Sequence, residues 1–340
     1  MRQPATVHFV GTLRTLLVAL VAVASVAALG GVAAADGPKE SAVTSVVEDG
    51  QVWHLKVYSA AMNSEISVDV QRPVDQSKPA PNLYLLSGLD AGLGTANWRD
   101  QTTVLAGLAH KQVNVIQPIG GKGSYYADWV KPDPKLGVNK WQTFFTEELP
   151  PLLDQTLHST GLNALAGVST SGTSVLHLAE VAPGLWKSVA AYSGCAQIAD
   201  PMGRRFLSLA VETWAGGDLN NMYGPPDSPV WAANDPVVNA EKLRGTPLYI
   251  SSGSGLAVSA DVDWYEHDAP GPQGMVNLIV GMAIEAGTDA CTNNLKAKLD
   301  SLGIPATFDF NSVGTHRWKY WEDTFWQSWP MLAHSMEIAE

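Results

Sequence analysis

The stretch Gly167-Val168-Ser169-Thr170-Ser171-Gly172 constrains this chain more than any other. It follows a short apolar run, Asn163-Ala164-Leu165-Ala166, and precedes a helix-like segment at residues 173–181. A strand, a tight turn around a serine and a helix make a nucleophile elbow, whose small residues let the backbone turn sharply and let a substrate approach. The pattern is G-x-S-x-S, one residue away from the usual G-x-S-x-G. In isolation, a Ser/Gly-rich loop without chemistry would read the same way.

Around this point, apolar and β-branched runs recur at residues 52–58, 66–70, 83–86, 113–117, 164–166, 189–192, 248–251 and 307–310. Helix-like segments occupy 98–110, 141–158, 173–181, 277–302 and 318–337. The first two runs are joined by a short turn and predict an antiparallel opening. From Leu83 onward strand and helix alternate, which predicts a mainly parallel central sheet flanked by helices on both faces. Segments rich in Pro, Gly and Asn at 131–139, 216–234 and 253–274 read as long loops, and such loops are commonly functional. Residues 36–340 are expected to form one α/β domain.

Residues 1–35 have the layout of a secretory signal. Arg2 and Arg14 supply positive charge, residues 16–29 an apolar core, and Ala33-Ala34-Ala35 a cleavage site. The apolar core is short beside the about 20 residues of a membrane span, so an extracytoplasmic protein is expected, with an uncleaved signal anchor as the alternative. The net charge is −12, and the leader holds two of the 21 basic residues and none of the 33 acidic ones, which leaves −14 without it. No basic stripe accompanies that acidity, so a nucleic-acid partner is excluded. Outside the cytoplasm Cys195 and Cys291 can pair, the alternative being two buried thiols. The bridge would be worth roughly 4–5 kcal/mol in the chain-entropy model. With two cysteines and scattered histidines, no metal site is expected.

An elbow serine needs a base to take its proton and an acid to orient that base. The chain order in α/β-hydrolases is Ser, then Asp/Glu, then His. After Ser169 the histidines are His177, His267, His316 and His334. His177 falls two turns into the elbow helix, His334 in the terminal helix, and His267 in a predicted loop. His316 follows the last predicted strand, where this fold carries its base. The acid is open on spacing alone: Glu285 stands among small and apolar residues and needs a partner there, while Asp261, Asp263 and Asp289 compete with it.

Further blocks share an order and spacing. They are Leu85-Leu86-Ser87-Gly88-Leu89, Gly120-Gly121-Lys122-Gly123-Ser124-Tyr125-Tyr126-Ala127-Asp128-Trp129 and Trp141-Gln142-Thr143-Phe144-Phe145-Thr146-Glu147-Glu148-Leu149-Pro150. After the elbow come Asn221-Met222-Tyr223-Gly224-Pro225, Asn234-Asp235-Pro236 and Gly314-Thr315-His316-Arg317-Trp318-Lys319-Tyr320-Trp321. With these the chain, from about residue 50 to 335, resembles the secreted mycolyltransferases of the antigen 85 family. The resemblance implies an α/β-hydrolase fold and a Ser-Glu-His triad made of Ser169, Glu285 and His316. It also implies transfer of mycoloyl groups between trehalose glycolipids and onto wall polysaccharide, without cofactor or metal. The family's oxyanion donors would be the backbone N–H groups of Leu89 and Thr170, and Trp318 resembles the tryptophan lining its trehalose pocket.

The first block departs from the family. Asp-Gly-Leu-Arg, whose Asp and Arg bind the sugar acceptor, is here Ser87-Gly88-Leu89-Asp90. Altered acceptor preference is therefore expected. The expected protein is a monomeric acyltransferase, peripherally associated with the cell envelope. The rivals are a carboxylesterase of the same fold and a non-catalytic matrix-binding surface protein.

Overall fold

A computed structural model describes residues 40–338; the leader read at residues 1–35 lies outside them. Nine strands are present among the described residues: β1 (Ala42–Asp49), β2 (Val52–Ser59), β3 (Ser64–Gln71), β4 (Asn82–Leu86), β5 (Asn114–Ile119), β6 (Asn163–Val168), β7 (Trp186–Tyr192), β8 (Leu248–Gly253) and β9 (Thr307–Asn311). They form one sheet in the order β1-β2-β3-β5-β4-β6-β7-β8-β9. β1, β2, β3 and β5 pair antiparallel. From β5 the sheet continues parallel through β4, β6, β7 and β8 to β9.

The parallel centre is dry. Every residue of β4, β6 and β8 is buried, as expected for strands covered on both faces. Register there is pinned by polar side chains at the strands' amino ends. The amide of Asn114 donates to Asn82, and Asn82 donates to Asn163, each at 3.0 Å. A slip by one residue would break this ladder and reverse every side chain. β1 is an addition to the predicted strands. Its residues are almost all exposed, so no apolar alternation marks it, and pairing with β2 is its main source of order.

Helices cover both faces. One carries the helices Leu149–Leu157 and Thr170–Val181 and the second half of Pro272–Leu302. The other carries the C-terminal helix Trp318–Ser335, whose Trp321, Phe325, Trp329 and Leu332 recur at helical spacing and are buried. The helix predicted over 98–110 is two short ones, Trp98–Gln101 and Val104–Leu108, because Thr102 between them is extended. The predicted loop 253–274 is corrected by a helix, Ser259–Asp268, and by the long helix starting at Pro272. Proline at the first position suits a helix start. The pattern hid this hairpin because Ser259–Asp268 is mostly polar outside and the Ala-Pro-Gly-Pro run at 269–272 reads as a turn. Residues 201–215 are also helical, Pro201–Leu207 running into a wide π-turn at Ser208–Ala215.

Candidate active site

Ser169 follows β6 with φ +59° and ψ −124°, a conformation that costs a non-glycine residue of order 1–3 kcal/mol and clusters at functional sites. Close packing enforces it. A Cβ on Gly167 would stand 2.6 Å from the Ser171 carbonyl oxygen, and one on Gly172 would stand 2.7 Å from that of Tyr192. The unusual Ser171 is fully buried; its Oγ accepts from the Val168 N–H at 2.8 Å and lies 3.1 Å from the Leu86 carbonyl. The hydroxyl thus ties β6 to β4 where other elbows have glycine.

Three side chains distant in sequence meet at the carboxyl ends of these strands, where open α/β sheets bind ligands. His316 Nε2 is 2.8 Å from Ser169 Oγ, and His316 Nδ1 is 2.8 Å from Glu285 Oε2. Glu285 is 1% exposed, so an unpaired charge there would be expensive. Its other oxygen, Oε1, accepts from Ser193 Oγ at 2.6 Å and from the Gly253 N–H at 2.7 Å. The Trp321 indole N–H donates to Ser193 Oγ at 2.9 Å, and the Trp321 ring stands edge-on to His316 with centroids 4.8 Å apart. The carboxylate is therefore fixed on both oxygens.

The helical hairpin also holds the histidine. The His316 N–H donates to the Gly281 carbonyl at 3.2 Å. Next to it, Arg317 Nη1 reaches Asp261 Oδ1 at 2.9 Å, and the Tyr320 hydroxyl reaches Asp261 Oδ2 at 2.8 Å. Asp261, which competes with Glu285 on spacing alone, thus anchors the histidine loop instead. Asp263 is exposed, and Asp289 lies 3.5 Å from Ser252 Oγ. His267 sits on the Ser259–Asp268 helix rather than in a loop, and His334 is exposed on the C-terminal helix. His177 bonds Gln142 at 2.9 Å. Its neighbour Glu180 is 3.9 Å away, beyond hydrogen-bond range. Burial lowers the His177 pKa to about 4 and raises that of Glu180 to about 9.

A cavity of about 230 Å³ opens on Ser169 and His316. Leu89 and Thr170 line it, and its walls include Tyr125, Phe206, Leu209, Trp214 and Ile284. The 201–215 segment therefore forms a structured wall. Cys195 and Cys291, 96 positions apart, are joined by a disulfide. It ties the loop after β7 to the long helix, six residues beyond Glu285. Ser87 faces a separate polar cavity of about 200 Å³ with Asp69, Asn97, Arg99 and Gln117. Asp90 pairs with Lys122 at 2.7 Å. Trp318 is half-buried, edge-on to Trp98 and Trp321, rather than in the wall around Ser169. Among the described residues no group of His, Cys, Asp and Glu is arranged to hold a metal ion, and no helix is long and apolar enough to cross a membrane.

Sequence reasoning missed Ser193, the Gly253 amide and Trp321 as holders of the carboxylate. The one local signal was that Ser193 and Gly253 fall one and two residues beyond the predicted strands at 189–192 and 248–251. As a chemical device, the arrangement can move a proton from the Ser169 hydroxyl to an imidazole whose tautomer a buried carboxylate sets.

Comparison with known proteins agrees with this geometry. The family model described as "Putative esterase" matches residues 59–332. The diacylglycerol acyltransferase/mycolyltransferase Ag85A of Mycobacterium leprae is 32% identical over 322 residues, covering 92% of this chain and 90% of that protein. The Ag85B protein of Mycobacterium avium is 33% identical over 280 residues, 79% of each chain. Among solved structures, Mycobacterium tuberculosis MPT51 (FbpC1) superimposes with a TM-score of 0.69 at 23% identity, over 85% of this chain and 100% of that one. The Staphylococcus aureus fluorophosphonate-binding serine hydrolase FphF gives 0.60 at 18% identity, over 84% and 99%. Both show the α/β-hydrolase fold.

Proposed function

Because this chain belongs to the antigen 85 family of mycolyltransferases, within the wider esterase family, we propose that it transfers mycoloyl groups between envelope glycolipids through an acyl-serine intermediate. Ser169 is the nucleophile, His316 the base and Glu285 the acid that orients it. The observation that carries the reading is the unbroken hydrogen-bond chain from Ser169 Oγ through His316 to Glu285.

Ser169 Oγ attacks the carbonyl carbon of a donor ester while its proton passes to His316 Nε2. The backbone N–H groups of Leu89 and Thr170 receive the oxyanion; losing one such donor costs about 3–4 kcal/mol of transition-state stabilisation. Collapse breaks the ester bond, and the leaving sugar oxygen takes the proton from His316. An acceptor hydroxyl then gives its proton to the same nitrogen and attacks the acyl carbon; the bond to Ser169 Oγ breaks, and Oγ takes the proton back from His316. Glu285, held on Oε1 by Ser193 and Gly253, offers Oε2 to the imidazolium at each stage.

The acceptor side departs from the family through Ser87 and Asp90. Lys122 brings a cation beside Asp90, so charge near the acceptor is redistributed between two loops. We assign the donor to trehalose mycolates, the acceptor to a sugar or wall polysaccharide, and the place of action to the cell envelope. Trp318 serves the acceptor only from the rim. The test is intact-protein mass spectrometry after exposure to trehalose monomycolate. The reading expects an acyl adduct on Ser169, absent in Ser169→Ala, and diester product. Free acid without diester would assign a carboxylesterase, and no adduct at all would favour a non-catalytic surface protein.

A further inference from the structure

From Met275 the outer face of the long helix Pro272–Leu302 is apolar for about three turns. Every exposed residue from 275 to 286 is apolar. Met275, Val276, Ile279 and Val280 are 53, 50, 57 and 40% exposed. They fall within an arc of roughly 140° on a 3.6-residue helix. Leu256, Val258 and Val262 of the preceding segment are exposed as well, and Val262 lines a surface hollow with Met275. A helix apolar all round is ordinarily buried, and a contiguous exposed patch of this kind marks an interaction site.

Two observations identify the occupant. The patch is continuous with the catalytic cavity, because Val280 lies one turn before Ile284, which lines that cavity beside Ser169. At about 230 Å³ the cavity is smaller than the usual range for even a drug-sized ligand, so most of a long acyl chain must lie outside it. The hairpin is also devoid of lysine and arginine. From residue 245 to 295 there is neither, while Asp263, Glu266 and Asp268 are exposed beside the patch. Docking on an anionic membrane needs basic residues, so this composition selects an uncharged lipid layer.

We propose that the outer face of residues 272–286, with 256–262, seats the protein on an uncharged acyl-glycolipid surface and passes donor chains along the Val280–Ile284 ridge to Ser169. The proposal rests on the acyl-transfer reading. The helix lies on the layer rather than crossing it, because its other face is packed into the domain. Because that helix holds both Glu285 and the His316 backbone, the seat is rigidly coupled to the triad.

The test uses the mature protein with phosphatidylcholine vesicles containing diacyl trehalose, and the same vesicles with added phosphatidylglycerol. Wild type is expected to co-sediment with the first and less with the second. Val276→Glu/Ile279→Glu is expected to lower partition about tenfold or more, and to lower turnover of the vesicle-borne donor in step. Hydrolysis of a soluble short-chain ester is expected to stay unchanged. The neutral pair Val276→Ser/Ile279→Ser is expected to show the same direction, which covers misfolding of the charged variant. Unchanged partition in both variants would overturn the proposal. So would absence of wild-type binding, preference for the anionic vesicles, or a concentration-dependent dimer that the variants abolish. Failure of the acyl-transfer reading itself would show separately, as loss of the soluble-ester activity and of the acyl adduct in the wild type.

Discussion

Two regions near Ser169 are built to different standards. On the acid side, Glu285 is buried, both its oxygens are bonded, and its helix is cross-linked to the loop after β7. On the acceptor side, Asp90 and Lys122 are a partly exposed ion pair, and Ser87 opens on a separate polar cavity. A buried, fully satisfied network fixes one geometry, whereas an exposed pair contributes little to stability and can be exchanged. In the proposed reaction the chemistry is thereby held constant while the acceptor is free to vary.

Substitutions can break this contrast, beginning with the rigid side. Ser169→Ala should lower acyl transfer by roughly 10⁴-fold or more and abolish the adduct, read by steady-state assay and mass spectrometry. Glu285→Gln keeps the shape but loses the charge, and should lower kcat by about 10²–10⁴-fold with KM little changed. Ser193→Ala removes one of the two donors to Oε1. A lost hydrogen bond to a charged group is worth about 1.5–3 kcal/mol, so kcat should fall between Glu285→Gln and wild type. A Ser193→Ala enzyme with unaltered kcat would show the carboxylate to be less constrained than its bonds suggest.

The acceptor side should answer differently. Asp90→Arg should leave short-ester hydrolysis within about twofold, since surface changes rarely propagate, and should raise the diester yield from trehalose relative to other sugars. Equal product ratios would break the contrast. The smallest effect belongs to the support behind the nucleophile. Burial holds Glu180 near pKa 9 against an ordinary 4.5, and His177 near 4 against 6.5. The raised Glu180 contributes stability that is complete below pH 4.5 and is lost as pH rises towards 9. The lowered His177 contributes stability above pH 6.5 that is lost as pH falls towards 4. Between pH 6.5 and 9 only Glu180 of this pair changes, so Tm should fall across that window, and Glu180→Gln should flatten the fall without altering short-ester turnover.

How much was readable follows from how local each signal is. Ser169 was legible because strand, small residues and helix are contiguous. His316 was legible because it follows the last strand. Glu285 is in mid-helix, where periodicity carries no mark of chemistry, and only family resemblance singled it out. Ser193, Trp321 and the Phe206–Trp214 wall acquire their roles from distant partners. The helix at 259–268 and the first turn and a half of the next escaped because Gly, Pro and Asp in 253–274 read as loop residues, and from 275 the outer face is apolar.

The Cys195–Cys291 bond divides the catalytic trio topologically. The covalent ring it closes contains the cavity wall, the hairpin and Glu285, and leaves Ser169 and His316 on the open chain at either end. Under reducing conditions the carboxylate is therefore the member whose tether is severed, while the nucleophile keeps its strained elbow. A molecule in that state would retain a serine able to react with a strong electrophile and yet turn over poorly.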